Sequence, residues 1–367
     1  MDITDFYKDE RLQWLRYVLN PSGEMPTVKD WHRLLKFANK QALTGICMPS
    51  QWPEDLDWDI VIEWIGACQQ IECWNILLNM RLDHLLRMME EAGFKCCLLK
   101  GLGNAEMYPN PLMRCSGDID LWVDADEETV YQYVKKLFPD EKATYKHIHF
   151  PIFDDADVDL HVTPLKLYNN TYQKRLQRWI IGNKDEQFGN KIKLTGVERE
   201  VSVPTTKFNA VYQLGHMLIH LFDEGIGLRQ IVDYYYVMKN LDASQEVREE
   251  LISTICNLGM MRFAMAVMWI ESVVLGLPVA QCIVEPDERR GRRLLIDILK
   301  GGSFGHYNKR YRGRKGFYNK GMAEAWRMVD LMDMAPREVI ARLLSKMNTA
   351  LKHAIKRFIK RLHLAKK

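Results

Sequence analysis

Apolar residues recur at helical spacing in Trp31, Leu34, Leu35 and Ala38, and again in Ile71, Trp74, Leu77, Leu78, Leu82, Leu85, Leu86 and Met89. This period predicts helix over most of residues 5–92. Pro49 and Pro53 break the two stripes, and Gly93 ends the second as a C-terminal glycine does. The pattern then changes. Residues 94–99 read as a short buried strand closed by the turn Lys100-Gly101-Leu102-Gly103. A short helix over 102–107, a Pro-Asn-Pro loop and a strand over 118–124 follow, then a helix over 127–137. Residues 143–153 and 157–162 read as two strands joined by the turn Asp154-Asp155-Ala156. Strand, helix, strand, helix, strand, strand makes this segment α/β or α+β. Helix returns from Pro204, with a linker over 278–290, a helix over 292–300, a long loop over 301–321 and two basic helices at the end.

The expected fold is therefore α+β: a small mixed β-sheet core flanked by helical N-terminal and C-terminal regions. The expected division is a helical region over 1–69, the core over 70–200, a helical region packing on it over 201–290, and a basic loop with helices over 291–367.

Composition narrows the class. A hydrophobic content of 47% and a charged content of 27% are those of a soluble globular protein. The net charge of +3 does not by itself call for a nucleic-acid partner, but after Glu338 there is no acidic residue and nine Lys or Arg. The apolar stretch over 263–277 is short and carries Glu271, so no transmembrane segment is expected. None of the eight cysteines forms a Cys-x-x-Cys pair, which leaves zinc-ribbon and thioredoxin-like readings without support. The acidic, polar N-terminus is unlike a signal peptide. The expectation is a cytoplasmic protein with reduced thiols.

The pointed chemistry lies in Arg114-Cys115-Ser116-Gly117-Asp118-Ile119-Asp120-Leu121-Trp122-Val123. In an extended strand Asp118 and Asp120 project to one face and Ile119, Leu121 and Val123 to the other. Two carboxylates so close repel unless a cation sits between them. A second acidic strand, Asp157-Val158-Asp159-Leu160-His161, repeats the alternation. If the two strands pair, three carboxylates meet, a set suited to Mg²⁺ (or Mn²⁺) holding the oxygens of a nucleoside triphosphate. The aspartate outside the pair would act as general base. The Lys100-Gly101 turn, where a strand gives way to a helix, is suited to phosphate, with Arg114 and Ser116 as further donors.

The run Leu98-Leu99-Lys100-Gly101, a helix, Tyr108-Pro109-Asn110-Pro111, Arg114, then Gly117-Asp118-Ile119-Asp120 resembles the DNA polymerase β-type nucleotidyltransferase superfamily. More narrowly, it resembles the bacterial uncharacterised nucleotidyltransferase family that begins with a Lys-Gly turn. Abortive-infection toxin nucleotidyltransferases carry a similar arrangement. The resemblance covers roughly 70–240 and is strongest over 98–124. It implies that Asp118, Asp120 and, by position, Asp159 are the catalytic metal ligands, with Asp157 competing for the third place, and that Lys100, Gly101, Arg114 and Ser116 bind the nucleotide. It departs from the superfamily in having Lys100-Gly101 where Gly-Ser usually opens the phosphate turn. The implied activity moves a nucleoside monophosphate from a triphosphate to a hydroxyl acceptor (RNA, protein, sugar or small molecule) with release of pyrophosphate. The alternative is an inactive nucleotide-binding or scaffold protein of the same fold.

Four further residues stand at helical spacing: His216 with His220, and Arg229 with Asp233. The histidines read as core or interhelix residues, and Arg229–Asp233 as an intrahelical ion pair. His161 reads equally as a packed residue or a substrate contact. The loop from Gly305 to Lys315 interleaves aromatic and basic residues, and the last helix is basic and amphipathic, so a polyanion contact is expected there.

Overall fold

The computed structural model describes residues 6–21, 24–54, 56–140, 147–305, 307 and 327–364. Three helices open the chain: α1 (Glu10–Leu19), α2 (Trp31–Gln41) and the 34-residue α3 (Trp58–Glu91). Each starts on an aspartate, Asp9, Asp30 or Asp57, whose carboxylate accepts a backbone N–H of the first turn. α3 runs unbroken through residue 70, where the sequence pattern placed a boundary. Gly93, at φ +85°, ends it: its N–H donates to Glu90 O and that of Phe94 to Met89 O.

The sheet follows as β1 (Cys96–Leu99), β2 (Ile119–Val123), β3 (Ile148–His149) and β4 (Val158–His161), with α4 (Gly101–Ala105) after β1 and α5 (Glu127–Leu137) after β2. The spatial order is β1-β2-β4-β3. β2 lies antiparallel to β1 and parallel to β4, and β3 is antiparallel to β4. The strand expected over 143–153 is a two-residue β3, with 143–146 outside the described residues.

Alternation along the strands sorts the two faces. Leu98, Ile119, Leu121, Val123, Val158 and Leu160 join one apolar cluster with Leu78, Leu82, Leu85 and Met89 of α3 and Val130 and Val134 of α5. Cys97, Leu99 and Trp122 face a second, larger cluster built from the other helices. These include α6 (Asn170–Gly189) and, after the small hairpin of β5 (Lys191–Lys193) and β6 (Glu200–Ser202), α7 (Thr206–Asp223) and α8 (Leu228–Lys239). Trp122 stacks on Phe208 of α7 at 5.8 Å, and Phe208 on Trp179 of α6 at 4.5 Å. Asp120 shares the Trp122 face and is buried for that reason.

α9 (Gln245–Asn257), α10 (Met261–Trp269), α11 (Glu288–Gly301) and α12 (Pro336–Leu364) complete the helical part. α12 is held by its first turns. Both Glu338 carboxyl oxygens accept backbone N–H groups, of Tyr168 at 2.7 Å and Asn169 at 3.0 Å, and Arg342 Nε donates to Asp223 Oδ1 at 2.9 Å. The aromatic-basic segment from 305 to 315 lies almost wholly outside the described residues, as do the α12 side chains from 350 onward, apart from Lys352. No described helix is long and apolar enough to cross a membrane.

After α10 the helix widens into a π turn at Ile270–Val274, which carries Glu271 fully buried, with neither carboxyl oxygen hydrogen-bonded among the described residues. Burial raises its pKa well above the ordinary 4.5. A folded pKa above the unfolded one gives stability that is complete below the unfolded value and is lost as pH rises toward the folded one. Glu271→Met should therefore raise stability at neutral pH by about 1–3 kcal/mol, the cost of an unsatisfied buried polar group. Urea melts should show that gain shrinking toward pH 4.5.

Candidate active site

The parallel pairing of β2 with β4 sets Asp120 opposite Asp159, and the antiparallel pairing of β3 with β4 sets His149 opposite Asp159. Asp120, Asp159 and His161 each offer a ligand atom, and these atoms lie within 4.8 Å of one another. Two oxygen donors and an imidazole nitrogen form a set that accepts a divalent cation. Asp118 stands one residue before β2 and is exposed, so it reaches the same cleft from the loop rather than from the strand. Asp157, the competing third carboxylate, is exposed and also lines the cleft, but only Asp159 joins the 4.8 Å group.

The electrostatics separate the two strand carboxylates. Asp120 is 2% exposed, with Oδ2 2.9 Å from Lys100 Nζ and Oδ1 2.7 Å from His161 Nε2. Burial alone would raise its pKa; Lys100 and the His161 hydrogen bond outweigh that and hold the carboxyl well below its ordinary range. For Asp159 burial also raises the pKa, His147 at 3.4 Å opposes this, Asp120 adds to it, and the balance lies above the ordinary value. One carboxylate is thus fixed as an anion and the other is the more basic, a separation that suits a ligand and a proton acceptor.

The loop carrying Arg114, Ser116 and Asp118 is clamped between α3 and α8. Arg114, 4% exposed, donates through Nε and Nη2 to the two Asp233 oxygens at 2.7 and 2.6 Å, and through Nη1 to Ser116 Oγ at 3.2 Å. Tyr108 donates its hydroxyl to Asp233, and Arg229 donates to the Cys115 carbonyl. From α3, Asn75 Nδ2 donates to the carbonyls of Leu112 (2.7 Å) and Arg114 (2.8 Å), and Trp74 Nε1 to that of Ser116 (3.2 Å). Arg229 and Asp233, one helical turn apart on α8, both hold the loop. Asn75 escaped the sequence reading, although a polar residue on the buried stripe of α3 was a signal for it.

These groups line a cleft of about 880 Å³ together with Lys100, Gly101, Asn104, His147, His149 and Asp154 to Asp157. Such a volume lies in the range of small-molecule sites, about 300–1,000 Å³. A smaller lobe of about 190 Å³ continues past His161 to Thr163, Lys166 and Tyr168. From α7, His216 and His220 face both lobes, their Nε2 atoms 3.1 Å apart. Phe208, Tyr212, His216 and His220 form one stripe of α7 that runs from the aromatic core into the cleft. The core reading thus describes the start of the stripe and the cleft its end. His147 and His149 were also missed, though two residues apart on an expected strand they share a face.

The structure thus brings Lys100, Gly101, Arg114, Ser116, Asp118, Asp120 and Asp159 to one cleft. Two of them turn inward: the Lys100 ammonium lies on Asp120 and the Arg114 guanidinium on Asp233.

Comparison with known proteins gives a family model, described as an uncharacterised nucleotidyltransferase, that matches residues 27–276. No protein of curated function matches. Among solved structures, an antigenic nucleotidyltransferase-like protein from Paracoccidioides brasiliensis is 12% identical, over 55% of this chain and 92% of that one, at a TM-score of 0.32. At that score the likeness carries no argument.

Proposed function

The chain belongs to the family of uncharacterised nucleotidyltransferases, and from that premise we propose that it moves a nucleoside monophosphate from a nucleoside triphosphate to a hydroxyl acceptor. The observation that carries the reading is Asp120 facing Asp159 across two parallel strands, with Asp118 at the mouth of the same cleft.

In this reading Asp118, Asp120 and Asp159 hold Mg²⁺ or Mn²⁺, with His161 beside them. Metal bound there would supply positive charge against the triphosphate and the departing pyrophosphate. Asp159 takes the proton of the acceptor hydroxyl as its oxygen attacks the α-phosphorus. The bond from that phosphorus to the bridging oxygen breaks, and pyrophosphate leaves. We assign the triphosphate to the side of the cleft formed by Lys100, Gly101 and Ser116, with Arg114 and Asp233 fixing the loop that carries Ser116. The basic C-terminal region, with nine Lys or Arg and no acid after Glu338, we assign to contact with a polyanionic acceptor such as RNA.

The test supplies each of the four triphosphates labelled at the α-phosphate, with Mg²⁺ or Mn²⁺, to the protein and total cell RNA, protein and metabolites. Label should move to one acceptor class, with release of unlabelled pyrophosphate, and Asp118→Ala should abolish transfer. A folded Asp118→Ala protein with full transfer overturns the carboxylate mechanism. Nucleotide binding without transfer to any acceptor favours the scaffold alternative.

A further inference from the structure

Lys100 adopts a backbone conformation that side chains avoid, with φ 40° and ψ −140°. Among the described non-glycine residues only Ala42 shares a positive φ. A β-carbon is strained there, and such strain persists only where the surroundings enforce it. Gly101 follows at φ 41°, and together the two residues turn the chain sharply from β1 into α4. Because Leu99 pairs with Asp120 across β1 and β2, the turn delivers the Lys100 ammonium beside that carboxylate. Nζ lies 2.9 Å from Oδ2, and His161 Nε2 lies 2.7 Å from Oδ1. Both oxygens of the central carboxylate thus already face a donor of this chain, whereas a two-ion centre shares its bridging carboxylate between the ions.

We propose that Lys100 takes the place of one divalent ion, so that the centre holds a single ion, seated toward Asp118 and Asp159. The inference rests on the metal-centre reading above. Two further observations favour it. The lysine side chain is 21% exposed, so its charge is only partly screened and would repel a second dication at Asp120. Asp118 makes no hydrogen bond or salt bridge with a described residue, and the salt-bridge partners of Asp159, His147 and His149, stand at 3.4 and 3.6 Å. Both carboxylates line the cleft.

The experiment counts Mn²⁺ ions without reference to turnover. The intact protein is titrated with Mn²⁺ alone, free ion is followed by its electron paramagnetic resonance signal, and the bound species is examined for the pattern of a spin-coupled ion pair. Wild type should bind one uncoupled ion. Lys100→Met, which leaves Asp120 without its cation, should bind a second, with affinity raised about tenfold or more by loss of a nearby like charge and with a coupled signal. Lys100→Arg should keep the count at one. Should the methionine variant fold poorly, Mn²⁺ should raise its melting temperature more than it raises that of wild type. Two coupled ions in wild type overturn the proposal and leave the transferase reading standing. Failure of wild type and variant alike to bind Mn²⁺ removes the metal centre itself.

Discussion

Asp120→Asn should lower nucleotidyl transfer by roughly a thousandfold or more, since this carboxylate fixes positive charge at the centre, ion or ammonium; such a charge supplies several kcal/mol to the transition state and about 1.4 kcal/mol is worth tenfold in rate. The substitution keeps the size of the side chain and an oxygen for hydrogen bonding, and it removes the charge. It also leaves the Lys100 ammonium without its carboxylate, so stability should fall by about 3 kcal/mol, near the usual cost of removing one partner of a buried pair. The two effects separate in a double variant. Lys100→Met with Asp120→Asn should recover most of the stability in urea melts and none of the transfer. If the single variant transfers at the wild-type rate, Asp120 has no part in the chemistry. If the double variant is no more stable than the single one, the ion pair is not what holds the lysine.

The second large effect concerns the loop rather than the strand carboxylates. Asp233→Ala should destabilise the protein by about 3–5 kcal/mol, because it strands a buried guanidinium. Arg114 is 4% exposed and gives two hydrogen bonds to that carboxylate; Tyr108 gives a third. Against a total stability of about 5–15 kcal/mol for ordinary domains, this loss is large. Replacing both partners, Arg114→Met with Asp233→Leu, should return most of it while transfer stays low, because Ser116 and Asp118 ride on the released loop. Chemical denaturation and label transfer on the same preparations check both halves. Near-wild-type transfer in the double variant would mean that the loop holds its shape through Trp74, Asn75 and Arg229 alone.

The elements were largely written in local pattern. The end of α3 and the glycine after it, the helix at Glu127–Leu137 and the alternation around Asp118 and Asp159 each follow from residues a few positions apart, and each is where the pattern put it within one to three residues. Which carboxylates share a face was legible for the same reason, since alternation in Asp-x-Asp and Asp-x-His points those side chains the same way.

What the sequence alone determined about this protein is therefore its α+β mixture, the strands that carry its acids and the turn that carries Lys100 and Gly101. What only the tertiary structure decided is who meets whom: that β2 and β4 run parallel and in register at Asp120 and Asp159, that Lys100 turns onto Asp120, that Asp233 holds Arg114 from 119 residues away, and that α7 brings two histidines to the cleft. The reason is physical. Helix and strand periods arise from bonds between near neighbours, whereas a charge in a partly buried cleft takes whichever partner the fold delivers, and nothing in its own neighbourhood along the chain names that partner.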